Sequence, residues 1–291
     1  MKFSFLKKNF SIILKITLVL LIFNLFNWLL IFFFLKQNLA KINFLNVGQG
    51  DSELINTPIA NILIDAGPSK KVLEELKKVM PFYDNYLDIV IISHPNIDHF
   101  LGLFDILKTY KVRAVILSNI SYPLKDYQNL IKELQERNIP LIKGVKGVTI
   151  NLGKDQKITI LSPDKLNSFS FNQDSIVCSY TNKISEVLFL GDIDSRKEKE
   201  ILKYLNSLKY LYRILKVAHH GSKNATSEDF LKEFQPNFAI IEVGKNNYSH
   251  PHISVLERLE KFKIKTFRTD LDGLIQFSFD KNYNFWYKLI Q

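Results

Sequence analysis

Cysteine is nearly absent: Cys178 is the only one in 291 residues. No intrachain disulfide can form, and no cysteine cage for a metal exists. Any metal chemistry in this chain falls to His, Asp and Asn. Acidic residues are the minority charge, 29 against 39 basic ones, for a formal net charge of +10. That excess favours polyanionic partners, nucleic acid or anionic lipid headgroups. The lysines are dispersed, so a general Lys- and Asn-rich composition accounts for the excess equally well. No stripe interleaves aromatic with basic residues to mark a base-stacking track. There is no internal repeat and no long low-complexity linker. Hydrophobic residues make up 46% of the chain, enough to bury a core. The length suggests one large domain or two small ones.

What is present first is a run without charge, the 20 residues from Ile16 to Leu35. A helix needs about 20 apolar residues to cross the hydrocarbon core. A cleaved signal peptide usually has an apolar core of about 7–15 residues and a small-x-small cleavage site. Neither feature is found here. Lys2, Lys7, Lys8 and Lys15 precede the run, and Lys36 and Lys41 follow it. The excess of positive charge before the span predicts a cytoplasmic N-terminus. Residues 1–15 are then a cytoplasmic segment, 16–35 a single transmembrane helix, and 41–291 a globular region outside the cytoplasmic membrane.

After Lys41 short apolar runs alternate with amphipathic segments. Strands are predicted at Ile42–Val47, Ile62–Asp65, Ile89–Ser93, Ala114–Leu117, Ile158–Leu161, Val187–Leu190, Ile214–Val217 and Phe238–Val243. Helices are predicted at Lys70–Met80, Leu101–Tyr110, Tyr127–Arg137, Glu198–Asn206, Glu228–Phe234 and Ile253–Lys261, where apolar residues recur at three-to-four spacing. This order gives an α/β class, with sheet layers covered by helices.

The six histidines fall in three tight groups: His94 with His99, His219 with His220, and His250 with His252. Each group follows a predicted strand. Histidine is the commonest neutral nitrogen ligand for metals and a frequent general acid or base. In His94-Pro95-Asn96-Ile97-Asp98-His99, Pro95 stops the strand and favours a rigid loop. Gly221 permits a tight turn after the second group. Two further apolar runs end in aspartate, Leu188-Phe189-Leu190-Gly191-Asp192 and Ile62-Leu63-Ile64-Asp65. Either aspartate alone reads equally well as a cap or turn residue.

Taken in order, these segments resemble the metallo-β-lactamase superfamily, specifically the hydrolase domain of ComEC-type DNA-uptake (competence) proteins. The resemblance covers roughly residues 42–279. It also draws on Phe44 to Ser52, Gly244-Lys245-Asn246-Asn247, His250-Pro251-His252, and Arg268-Thr269-Asp270 with Asp272-Gly273. It implies a four-layer αββα sandwich over 41–291, preceded by the single N-terminal transmembrane helix. The site would lie at the edge of two packed sheets.

The superfamily motif His-x-His-x-Asp-His maps to His94, Asn96, Asp98 and His99, so Asn96 departs from it. An asparagine offers only a neutral carbonyl oxygen. Asp174, in Asn172-Gln173-Asp174-Ser175, would restore a negative ligand, or that segment is simply a turn before a strand at Ile176–Tyr180. The second metal position would take Asp98, His99, Asp192 and one of His219 or His220. Asp65 would orient ligands, and Asp51 of the Gly48-Gln49-Gly50-Asp51-Ser52 hairpin would face the site or serve the hairpin alone. The family's usual aspartate is Asn46 here.

The implied cofactor is Zn²⁺ or Mn²⁺, two ions being expected. Asp98, with His250 or His252, would carry catalysis, one of the histidines protonating a leaving oxygen or holding the scissile phosphate. The resemblance implies a membrane-anchored phosphodiester hydrolase, with DNA first among substrates. A small-phosphoester phosphodiesterase of phosphorylcholine type and a non-catalytic component of a DNA-uptake complex stay open. β-Lactam hydrolysis does not follow from the superfamily name, because one fold hosts many chemistries. Full-length DNA-uptake proteins carry a multi-span channel domain, so a transport role is expected to need a separate channel protein.

Overall fold

The computed structural model describes residues 2–36, 40–118, 122–153, 155–164, 172–205, 209–280, 282 and 284–291. Packing divides the chain into two units, residues 1–39 and 40–291. The first is one helix, α1 (Lys2–Lys36). Its stretch Ile12–Phe32, 21 residues, is long and apolar enough to cross a membrane. The stretch begins four residues before Ile16 and includes Lys15, whose long stem lets its charge reach toward the interface. Two polar side chains inside it bond back to the helix. Thr17 Oγ1 donates to Ile13 O at 2.9 Å and Asn24 Nδ2 to Leu20 O at 3.0 Å. This lowers the cost of carrying them through hydrocarbon.

The second unit begins with β1 (Ala40–Phe44), β2 (Glu53–Asn56), β3 (Asn61–Ile64), α2 (Lys71–Val79), β4 (Tyr86–Leu87), β5 (Ile89–Ile92), α3 (Ile97–Phe100) and α4 (Leu103–Thr109). There follow β6 (Lys111–Val112), β7 (Val115–Leu117), α5 (Lys125–Glu136), β8 (Leu141–Lys143), β9 (Thr149–Asn151), β10 (Lys157–Ser162), β11 (Val177–Thr181) and β12 (Ser185–Phe189). The chain closes with α6 (Ser195–Ile201), β13 (Tyr212–Lys216), α7 (Glu228–Phe234), β14 (Phe238–Ile241), α8 (Ile253–Lys261), β15 (Lys265–Arg268), α9 (Thr269–Asp272), β16 (Leu274–Phe279) and β17 (Phe285–Ile290).

One sheet runs β17-β16-β1-β2-β3-β5-β7-β8, the other β15-β14-β13-β12-β11-β10-β9, and β4 and β6 form a small third pair. In the first sheet, β3, β5, β7 and β8 are mutually parallel. In the second, β12 to β15 are parallel.

The layers follow from strand alternation, since neighbouring side chains point to opposite faces. In β5, Val90 and Ile92 pack with Leu76 of α2, Ile106 of α4 and Leu130 of α5. Ile91 between them faces the other way, into the space shared with Val187, Phe189 and Ile214 of the second sheet. Leu188, Leu215 and Ile241 point outward again, onto Ile201 of α6, Phe230 of α7 and Val255 of α8. Helix, sheet, sheet and helix therefore stack in four layers, as the family resemblance implied. Strands apolar on both faces are what a helix-covered parallel sheet requires.

Four predicted helices differ at their ends, and for two the cause is visible. Leu101–Tyr110 is preceded by the separate turn α3, and α4 begins only at Leu103. Gly102 lies so close to Ala66 that a Cβ would sit 2.1 Å from its carbonyl oxygen. The helix predicted from Glu198 begins at Ser195, because Asp194 caps it by accepting from Arg196 N and Lys197 N. Its predicted end at Asn206 lies outside the described residues. Asn172 to Asp174 form a turn before β11.

Candidate metal centre

The turns that carry the site leave the carboxyl ends of parallel strands, where open α/β sheets place their ligands. Asp65 follows β3, His94 to His99 follow β5, Asp192 follows β12, and His219 and His220 follow β13. The Asp51 hairpin closes over them. Asp51 N donates to Asp98 O at 3.3 Å. At Gly50 a Cβ would stand 2.2 Å from that same carbonyl oxygen, so only glycine lets the hairpin approach the loop of His94 to His99.

Asp192 Oδ2 is the meeting point. Four imidazole nitrogens surround it: His99 Nε2 at 3.5 Å, His219 Nε2 at 3.6 Å, His94 Nε2 at 3.7 Å and His220 Nε2 at 3.9 Å. Asp98 Oδ2 stands 3.2 Å from His220 Nε2 and 3.9 Å from His99 Nε2. His94, His99, Asp192 and His220 are buried, whereas the His219 side chain is 33% exposed.

The far sides of three rings are fixed by the protein. Asp65 Oδ2 lies 2.7 Å from His99 Nδ1. Ser93 N and Oγ donate to the two Asp65 oxygens, at 2.7 and 2.6 Å. Ser93 Oγ then accepts from His94 Nδ1 at 3.0 Å. His220 Nδ1 donates to the Glu242 carbonyl at 2.9 Å. With each Nδ1 engaged, each Nε2 is left to face inward. His94 Nε2, His99 Nε2 and Asp192 Oδ1 are buried with no hydrogen-bond partner among the described residues. Buried polar atoms are rarely left so. Unpartnered nitrogens and carboxylate oxygens that converge on one point fit a divalent cation, and the mixed His and carboxylate set suits Zn²⁺ or Mn²⁺.

The other predicted site residues sit differently. Asn96 is exposed; its backbone carbonyl accepts from His99 N at 3.0 Å, and its side chain makes no hydrogen bond among the described residues. Asp174 is half-buried and belongs to none of the close ligand groups; its neighbour Ser175 Oγ accepts from Asp192 N at 3.4 Å. His250 reaches the rim, its ring 5.5 Å from that of His219. His252 is the cap of α8, its Nδ1 accepting from Ser254 N at 3.2 Å. Asn46 accepts from Lys71 Nζ at 3.0 Å and so ties the hairpin to α2.

Sequence reasoning missed Lys216, the last residue of β13. It is fully buried and forms an ion pair with Asp51. Asp51 Oδ1 in turn lies 3.1 Å from His220 Nδ1. Lys216 also donates to Gly191 O at 3.4 Å, next to Asp192. Glu53 and Glu242 lie beside Asp51, and Glu242 Oε1 accepts from Ser52 N at 3.1 Å. Burial and the nearby Asp51 push Glu242 up to about 8, so this carboxyl holds a proton at neutral pH.

The sequence profile of the metallo-beta-lactamase superfamily matches residues 45–244. The chain belongs to that superfamily. It is 30% identical over 261 residues to ComE operon protein 3 of Bacillus subtilis, covering 82% of this chain and 33% of that protein. It is 29% identical over 258 residues to Recombination protein 2 of Haemophilus influenzae, covering 86% and 30%. The chain thus spans about a third of the length of these relatives. Among solved structures, the metallo-beta-lactamase fold protein YhfI from Bacillus subtilis superposes with a TM-score of 0.54 at 13% identity, over 86% of this chain and 99% of that one. The resemblance to ComEC-type proteins read from the motifs therefore extends across the superfamily domain.

Two expected outcomes follow for this candidate centre. The first concerns Asp65. Replacing it by asparagine removes the charge that orients His99, and cation affinity should fall about 10- to 100-fold. Titration of Mn²⁺ into the two proteins checks this, and equal affinities would count against the orienting role.

The second concerns pH. Burial pushes His94 down to about 3, with His99 adding to the effect, so His94 stays neutral and ready to ligate. At His220 burial opposes charge, but Asp51 and Asp192 outweigh it and raise this histidine to about 10. His99 is likewise held well above the usual range, since Asp192 and Asp65 outweigh its burial. Without a cation, His220 is protonated at neutral pH, and His99 is shifted in the same direction. A cation must displace these protons, so affinity rises with pH, by about one to two powers of ten per pH unit. Calorimetry in buffers of different ionisation enthalpy will read the released protons directly. Affinity independent of pH between 6 and 8 would contradict the assignment.

Proposed function

We propose that the chain is a membrane-anchored, divalent-cation-dependent phosphodiesterase whose substrate is DNA. One observation carries the reading: four imidazole Nε2 atoms converge on one carboxylate oxygen, Asp192 Oδ2, with the Asp98 carboxylate beside two of them. In this reading Asp98, His99, His220 and Asp192 hold one cation. His94 and Asp192, with His219 within reach, hold the other; Asn96 and Asp174 are its further candidate ligands. Asp51 and Asp65 orient the histidines. A divalent cation bound there lowers the pKa of a water and offsets charge developing on a phosphodiester.

His250 stands at the open side of the centre. Burial, with His219 and His220 nearby, lowers it to about 4, so it is neutral at pH 7. A neutral ring can donate one N–H to a phosphate oxygen and steady the scissile group. His252, occupied as a helix cap, positions the loop that carries His250. DNA is the substrate favoured by the ComEC-type resemblance and by the net charge of +10. The apolar helix α1 supplies the anchor, and its lysine-rich start favours a cytoplasmic N-terminus with the hydrolase unit, residues 41–291, on the other side.

The test uses the full chain in lipid nanodiscs, beside an Asp98→Ala/His99→Ala variant. Cation content is measured by elemental analysis. Hydrolysis is measured on single-stranded DNA, double-stranded DNA and a chromogenic small phosphodiester. The reading expects at least one cation per chain and metal-dependent DNA cleavage that the variant loses. Turnover of the small phosphodiester alone would move the substrate to small phosphoesters. Less than one cation per chain would end the enzyme reading.

A further inference from the structure

We propose that Tyr248 is a stacking platform for an unpaired nucleobase and sets the nucleotide beside it against the metal centre. The proposal rests on the phosphodiesterase reading and narrows its substrate to single-stranded DNA, or to an unpaired end. The carrier is the loop between β14 and α8. One side chain bolts it in place. Asn246 Nδ2 donates to Gly244 O at 2.9 Å and to His250 O at 2.8 Å, and Asn246 Oδ1 accepts from Tyr248 N and His250 N, both at 3.0 Å. Ser249 takes a left-handed φ of 59°, which turns the chain between the two rings. At the base of the loop, Gly244 packs so tightly on Gly48 that a Cβ would lie 2.4 Å from its carbonyl carbon.

This loop holds Tyr248 outward, 73% exposed. Its ring is 5.8 Å from that of His250 and inclined to it by 34°. His250 in turn is 5.5 Å from His219, whose Nε2 is 3.6 Å from Asp192 Oδ2. A succession of rings thus leads from solvent to the centre. A large aromatic held mostly in water contributes little packing to the fold. It does offer a face on a backbone already fixed by Asn246, so a base that arrives need not order the loop. Every base has a π-face, so such a platform accepts any sequence but needs a base that has left its partner. Lys245, exposed on the same loop, places a positive charge where the adjoining phosphates would run. The basic-aromatic pairing absent as a stripe in the sequence is present here as Lys245 and Tyr248.

The experiment compares the full chain with Tyr248→Ala, Tyr248→Phe and Tyr248→Trp. The probes are single-stranded oligonucleotides with one cleavable linkage, flanked either by normal nucleotides or by abasic ones. Tyr248→Ala should raise KM and weaken binding, read by fluorescence anisotropy, roughly ten- to hundred-fold for the normal strand. Its kcat and its behaviour on the abasic strand should match the parent, and the phenylalanine and tryptophan variants should retain parental KM. A merely structural role for Tyr248 would lower both strands equally. That result, or an unchanged KM and affinity for the normal strand, overturns the proposal. Failure of the parent chain to cleave any DNA would count against the nuclease reading, while the anisotropy comparison would still decide Tyr248.

Discussion

Asp192→Asn is expected to remove cation-dependent turnover while leaving the chain folded. Its Oδ2 lies within 4 Å of the Nε2 atoms of His94, His99, His219 and His220 together. The asparagine keeps the shape but replaces a full charge with a neutral oxygen and an NH₂ that would face the imidazole nitrogens. Burial opposes the charge on Asp192, yet His99 and His220 hold the carboxylate well below its usual range. The site is therefore built around an anion at this position. Cation-assisted charge stabilisation is worth several kcal/mol, so its loss should lower kcat/KM at least about a thousand-fold. The check is kcat/KM on whichever phosphodiester the parent turns over, with cation content measured on the same preparations. A variant within tenfold of the parent in both quantities would show that Asp192 does not bridge the centre.

Asp192 was legible in the sequence because it ends an apolar run, and so was Asp65. The histidines were legible because they are few and each cluster follows a strand. His219 and His220 could not be separated by sequence, since adjacent residues share one strand end. The backbone decides their exposure: both take positive φ, 52° and 51°, which swings one ring inward and leaves the other at the rim.

Lys216 was not legible for a different reason. Its partner Asp51 lies 165 residues away, so no local spacing joins them. One signal was available. Tyr212-Arg213-Ile214-Leu215-Lys216-Val217-Ala218 puts a lysine inside a strand whose flanks are apolar, and a buried lysine needs an anion. Edge strands were missed on similar grounds. In β17, Phe285 and Tyr287 face the core while Trp286 and Leu289 stay exposed at 40% and 42%. Such a segment shows little contrast until β16 pairs with it.

Lys216→Met should then be the most destabilising single change at this site. Methionine fills nearly the same volume, so packing survives, but Asp51 is left 1% exposed with its cation gone. Breaking a buried pair from one side costs about 3–5 kcal/mol, and the charge on His220 beside Asp51 offsets part of the loss, which places the expected cost at the lower end. For a unit of this size that corresponds to a fall in melting temperature on the order of 10 °C. The loss should be partly recovered in the double variant Lys216→Met/Asp51→Leu, since replacing both members of a buried pair by apolar groups is often close to neutral. Thermal unfolding of the four proteins closes the cycle. Strictly additive effects would mean that the pair is not coupled. Cation affinity gives an independent reading. Asp51 also contacts His220, so the double variant can regain stability while its cation affinity stays low. That divergence would separate what the pair contributes to the fold from what it contributes to the metal centre.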